Sequence, residues 1–269
     1  MNGISIVPDR EYRGDGISEG LARGLLVWSG TENLTGEGMG IGSVAIRCPR
    51  YTCFSRTCMD KPSAEGVITR TFLVDTRMSW SILGTVSPWL TRSIESGIGA
   101  YMRLPRLQRL LMAPVLPLRS LLRIHPVFES IPPCAEVTFT YRITGTAVDI
   151  SARVSLLDGP VGTVCLLNEL SADCFMAGWN KGMVPPPPGW EELNGERDTV
   201  SLYDPVHDIQ FSIAAVSTSS PLQLRVFWGR EQGEDLCWAG FVIEVGGPDE
   251  VAVPDEVHYR IEFTVGGLT

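Results

Sequence analysis

Polar and apolar residues alternate one for one along much of the chain. From Glu136 to Thr144, Val137, Phe139, Tyr141 and Ile143 fall on one side, and Thr138, Thr140, Arg142 and Thr144 on the other. After a Thr-Gly-Thr turn the pattern resumes at Val148, Ile150, Ala152, Val154 and Leu156. His207, Ile209, Phe211, Ile213 and Ala215 repeat it, as do Leu222 to Trp228 and Val257 to Val265. A period of two places alternate side chains on opposite faces of a strand, so these segments predict half-buried antiparallel strands. Val161–Leu167 and Leu236–Val245 are more continuously apolar and predict central strands. Leu25–Trp28, Ser43–Cys48 and Val67–Val74 complete the set. Many short strands divided by Gly/Pro turns predict a mainly β protein, an antiparallel β-barrel or β-sandwich.

Only Met78 to Phe128 lacks the alternation. Short helical turns are expected at Trp80–Leu83 and Trp89–Ile94. Pro105, Pro114, Pro117 and Pro126 interrupt the rest, because proline in a helix interior removes a hydrogen bond and clashes with the preceding turn. Two short helices are therefore expected, Arg106–Ala113 and Leu118–His125. Each carries Leu-x-x-Leu-Leu, which sets three leucines on one face. The expectation is a helical cap over residues 78–128 on a single β-rich domain spanning 24–269. Residues 1–23, polar and Gly-rich from position 8, are expected to be a loose lead-in. Pro185-Pro186-Pro187-Pro188 cannot occupy a central strand; it predicts a stiff surface loop or a subdivision near 184–198.

Charge sharpens the picture of that insertion. The chain carries a formal net charge of −9, yet Ser96–Phe128 has no acidic residue and holds Arg103, Arg106, Arg109, Arg119 and Arg123. An acidic chain argues against a nucleic-acid partner, which needs a basic face. Five arginines and four prolines also argue against a transmembrane span. The island suits a packed cap, a mobile lid over an apolar pocket, or an anionic membrane surface. A leucine face of this kind equally suits a homodimer. The N-terminus shows no signal-peptide pattern, and seven cysteines without disulfide-like spacing fit a reducing, cytoplasmic setting.

Candidate chemistry is scattered. No nucleophile elbow, zinc-binding His pair or phosphate loop is present, and Gly36–Gly42 leads into a strand rather than a helix. Cys48, Cys53 and Cys58 recur every five residues, the wrong spacing for zinc, and are expected to be buried apolar thiols. No metal and no cofactor is expected. His207, beside Asp208, is a candidate general base. Glu169 opens a stretch to Trp190 that is rich in tryptophan, glycine and charge. The candidate catalytic residues are thus Glu169, His207 and Asp208. The candidate ligand-binding residues are Tyr141, Trp179, Lys181 and Trp228, with Leu107 and Leu111 from the cap.

Many antiparallel strands with an apolar helical insert and no cofactor motif resemble the architecture of lipocalin-like barrels. That resemblance is one of fold alone. It implies a protein that binds a small hydrophobic molecule. Such folds include cofactor-independent cyclases or isomerases of terpenoid- or polyketide-like substrates, and non-catalytic carriers. The other reading is an interaction module that docks a partner or anionic membrane through residues 96–128.

Overall fold

The computed structural model describes residues 3–8, 20–48, 51–62, 65–87, 89, 91–94, 121–157, 162–179, 182–187, 189–193, 200–219, 224–233, 236–246 and 256–266. Its strands are β1 (Ile4–Pro8), β2 (Leu25–Ser29), β3 (Glu32–Asn33), β4 (Gly40–Arg47), β5 (Thr52–Pro62), β6 (Val67–Ile82), β7 (Thr85–Val86), β8 (His125–Thr144) and β9 (Ala147–Leu156). The second half adds β10 (Thr163–Leu170), β11 (Ala177–Trp179), β12 (Met183–Val184), β13 (Gly189–Glu192), β14 (Ser201–Asp204), β15 (Ile209–Thr218), β16 (Leu224–Gly233), β17 (Leu236–Val245) and β18 (Val257–Val265). The alternation predicts the paired faces correctly. Phe139 lies opposite Ala152, and Tyr141 opposite Ile150; Tyr259 in turn lies opposite Ile150, and Phe211 opposite Phe263.

Antiparallel pairings run in one long succession: β13, β16, β17, β10, β4, β5, β6, β8, β9, β18, β15, β14, β11, β12. Among the described residues the sheet is not closed by hydrogen bonds. Its two ends, β12 and β13, are consecutive in the chain and are joined by Pro185–Pro188. Residues without an N–H cannot extend either ladder, so the proline run sits where pairing stops. Side chains meet near this gap. Trp228 of β16 lies so close to Gly178 of β11 that a Cβ there would stand 2.7 Å from the indole.

The inward faces form one connected apolar core. Phe72, Phe139, Tyr141, Phe211, Phe241 and Phe263 are buried within it. The rings of Phe211 and Phe263 stack at 5.2 Å, and Phe241 meets Phe211 edge-on at 5.1 Å. A smaller cluster of Leu21, Met39, Ala45, Cys165, Leu167 and Val242 covers the outer face of β4, β10 and β17. Arg70 of β6 is also buried in the interior. Its guanidinium grips Asp60 through two hydrogen bonds of 2.6 and 2.7 Å and donates to the carbonyls of Arg23 and Gly24.

Three expectations change. Where a loose lead-in was expected, Ile4–Pro8 pair with β2 and Leu21 to Arg23 are buried. The flanks of the expected cap are strands: Trp80 belongs to β6, and His125 begins β8 instead of ending a helix. Thr76–Ser81 pair with His125–Ser130 as a two-stranded arm. Pro126, Pro132 and Pro133 fit there because β8 meets β9 only from Ala135 onward, which leaves their side of the strand at an edge. Helical turns do occur at Trp89 and Thr91–Ile94. Leu107, Leu111 and the arginines from Arg103 to Arg119 lie outside the described residues.

Candidate functional site

The strongest irregularity inside the core is a β-bulge. Across β10 and β4, Leu167 faces Ser43 but Asn168 faces Ile41, which leaves Gly42 as an extra residue. Gly42 has φ of 70°, and a Cβ there would stand 2.5 Å from the Tyr141 ring. Glycine is therefore required both for the left-handed backbone and for the close approach.

The bulge turns the backbone polar groups of Gly42 out of the ladder, where they need other partners. Tyr141 donates its hydroxyl to the Gly42 carbonyl at 2.5 Å. The Gly42 N–H donates to Asn168 Oδ1 at 3.0 Å. Tyr259 donates to the same oxygen at 3.2 Å. The Gly42 N–H fixes which end of the amide is oxygen, because a flipped NH2 would face another donor. Asn168 Nδ2 then points into the core with no hydrogen-bond partner, and the residue is 0% exposed. An unsatisfied buried amide costs about 1–3 kcal/mol, and such a group calls for an explanation. Burial also holds the Tyr141 and Tyr259 phenols well above their usual pKa, so both stay protonated donors.

Glu169 follows Asn168 and faces the opposite side of β10. Burial pushes its carboxyl up to about 7, offset in part by a hydrogen bond from the Met39 N–H. Arg23 nearby favours the charged form and Glu231 opposes it. Arg23 itself donates to the carbonyls of Gly36 and Gly38. Further along this outer face, Arg47 and Arg225 both hold the buried Glu244.

His207 does engage carboxylates, but not Asp208. Its Nδ1 lies 2.6 Å from Asp204 Oδ2, and its Nε2 lies 3.0 Å from Glu32 Oε2. The Asp204 hydrogen bond raises its pKa despite some burial. Asp208 adopts a positive φ of 53° and accepts from the Tyr203 hydroxyl at 3.0 Å. Glu169, His207 and Asp208 thus belong to three separate hydrogen-bonded groups. Of the candidate binding residues, Tyr141 and Trp228 line the interior, while Trp179 is half-buried on β11. Lys181 lies outside the described residues. Sequence reasoning missed Asn168, Tyr259 and Gly42. The available signal was a single amide directly after the apolar run Val164–Leu167 of β10, since such a group must find partners when buried.

No protein-family model matches the chain, and no curated protein does. Among solved structures, the chain shows a weak likeness to the Slr1438 protein from Synechocystis sp. PCC 6803. The two are 8% identical with a TM-score of 0.29, over 49% of this chain and 55% of that one. Among the described residues no helix is long and apolar enough to cross a membrane, and no group of His, Cys, Asp and Glu is arranged to hold a metal ion.

Proposed function

We propose that the protein binds a small, largely apolar molecule within its β-scaffold and anchors it through one oxygen acceptor on Asn168. The supporting observation is the Asn168 Nδ2 group, buried and aimed at the core without a protein partner. Binding sites for apolar ligands commonly pair an aromatic lining with a few fixed polar groups. Tyr141, Tyr259 and the Gly42 bulge hold the amide in one orientation, so little ordering remains to oppose binding.

The surroundings favour binding over chemistry. Both phenols next to the amide stay neutral. Glu169, whose carboxyl is raised to about 7, faces the other side of the strand. A cyclase reading would require that acid to reach an interior substrate past the β10 backbone.

Native mass spectrometry of freshly purified protein tests the proposal, with an added panel of long-chain ketones, esters and terpenoid alcohols. We expect a bound small molecule that Asn168→Leu loses at unchanged fold by circular dichroism. If wild type and Asn168→Leu bind the panel alike, or neither binds, the reading fails.

A further inference from the structure

Two cysteines of one hairpin meet a third from β8 inside the core. Arg47 pairs with Thr52 and Ile46 with Cys53, while the Cys48 N–H closes the hairpin on the Tyr51 carbonyl at 2.9 Å. Cys48 and Ile46 share a face, so Cys48 and Cys53 are diagonal neighbours on adjacent strands. Cys134 comes from β8, beside the Ala135 that pairs with Val74, and its thiol donates to the Val74 carbonyl at 3.4 Å. The Cys53 thiol is in hydrogen-bonding contact with both Cys48 and Cys134. All three belong to the main core, with Cys48 5%, Cys53 0% and Cys134 4% exposed.

A buried thiol ordinarily packs as a small apolar side chain, and one such residue would carry no chemistry. Two thiols held against a third are different, because two thiols within reach of each other can exchange two electrons for a bond. Cys53 is the hub. Its hydrogen bonds lower the Cys48 and Cys134 thiols below the usual value, while its own pKa is driven up by those same neighbours and by burial. Cys53 thus sits between two thiols whose thiolate forms its own hydrogen bonds favour.

We propose that Cys48, Cys53 and Cys134 form a peroxide-oxidisable site in which Cys53 closes a disulfide with one of its two neighbours. The neighbour's thiolate attacks hydrogen peroxide and breaks the O–O bond. The departing hydroxide takes up the proton that the thiol released and leaves as water, and a sulfenic acid remains. The Cys53 sulfur then attacks that sulfur and breaks the S–O bond. Its proton joins the departing hydroxide as a second water. Two thiols have lost two electrons, and peroxide has gained them. A bridge here would staple the β4–β5 hairpin, or join β5 to β8, in the middle of the core.

The full chain, folded and treated with hydrogen peroxide, provides the test. Afterwards it is denatured, alkylated and mapped by mass spectrometry. The expected product is about 2 Da lighter than the reduced chain before alkylation, with Cys53 in the cross-linked peptide. Cys48→Ser and Cys134→Ser should each keep the bridge to the remaining neighbour, whereas Cys53→Ser and Cys53→Ala should abolish it. Complete alkylation of every cysteine in oxidised wild type would overturn the proposal. So would a bridge that omits Cys53, such as Cys174 to Cys237. The wild-type map decides the matter even if a variant fails to fold.

Discussion

Asn168 and Glu169 are neighbours in β10, yet the two faces of that strand solve different problems. Among the described residues the inner face is mainly apolar, and its buried polar groups include those that serve the Gly42 bulge and Arg70, paired with Asp60. At the bulge Asn168 and Tyr141 stand in for missing backbone partners, and both are neutral. The outer face holds ionisable groups against a smaller apolar cluster: Glu169 near Arg23, and Glu244 between Arg47 and Arg225. At the bulge polarity thus repairs geometry, whereas on the outer face it carries charge. A buried charge without excellent pairing is costly, and the buried Arg70 and Glu244 each hold ion-pair partners.

The largest effect should come from the inner face. Phe211→Ala removes a ring packed against Phe175, Phe241 and Phe263. It should destabilise the fold by about 3–5 kcal/mol in urea denaturation. Phe54→Ala, which breaks a ring pair beside the outer cluster, should cost clearly less. Equal losses would erase the distinction between a main core and a satellite.

Next comes the pH dependence of the outer face. The Glu169 carboxyl is raised in the fold from 4.5 to about 7. A raised pKa means the folded state holds the proton more tightly. The associated stability is fully present below about pH 4.5 and is lost as pH rises through about 7. The loss is on the order of 3 kcal/mol. Glu169→Gln keeps the acceptor for the Met39 N–H and should flatten this part of the stability–pH curve. An unchanged curve would show that Glu169 is solvated.

Tyr141→Phe leaves the Gly42 carbonyl buried without its donor and should cost about 1–3 kcal/mol. Its effect should not vary between pH 5 and pH 8, in contrast to Glu169, because the phenol never ionises there. The smallest effect is expected at His207. Its imidazolium is favoured by Asp204, so its contribution is present below pH 6.5 and fades as pH rises through the raised value. An NMR titration should place His207 above an unperturbed histidine, and Asp204→Asn should bring it back down. An unshifted His207 would remove the Asp204 contact from the account.

Alternation alone made the antiparallel β-class legible, together with nearly all the inward residues of β8, β9, β15 and β18. A strand buries one face, and a period of two records which face that is. The arm of β6 and β8 escaped notice because Pro126 read as a helix breaker, and the sequence does not say that it lies at an edge. His207 was legible as a polar histidine near carboxylates. Its actual partners, Asp204 and Glu32, depended on the turn geometry and on a hairpin 175 positions away.

By itself, then, the sequence determined the β-class, the acidic balance and the faces of the regular strands, because these follow from local periodicity and composition. Only the tertiary structure decided that the proline run joins the two open ends of the sheet, that Gly42 bulges, and that Asn168 turns inward while Glu169 turns outward. It alone brought Cys48, Cys53 and Cys134 together. Those features depend on strand order and register, which are set by contacts between residues far apart in the chain and leave little trace in any one segment.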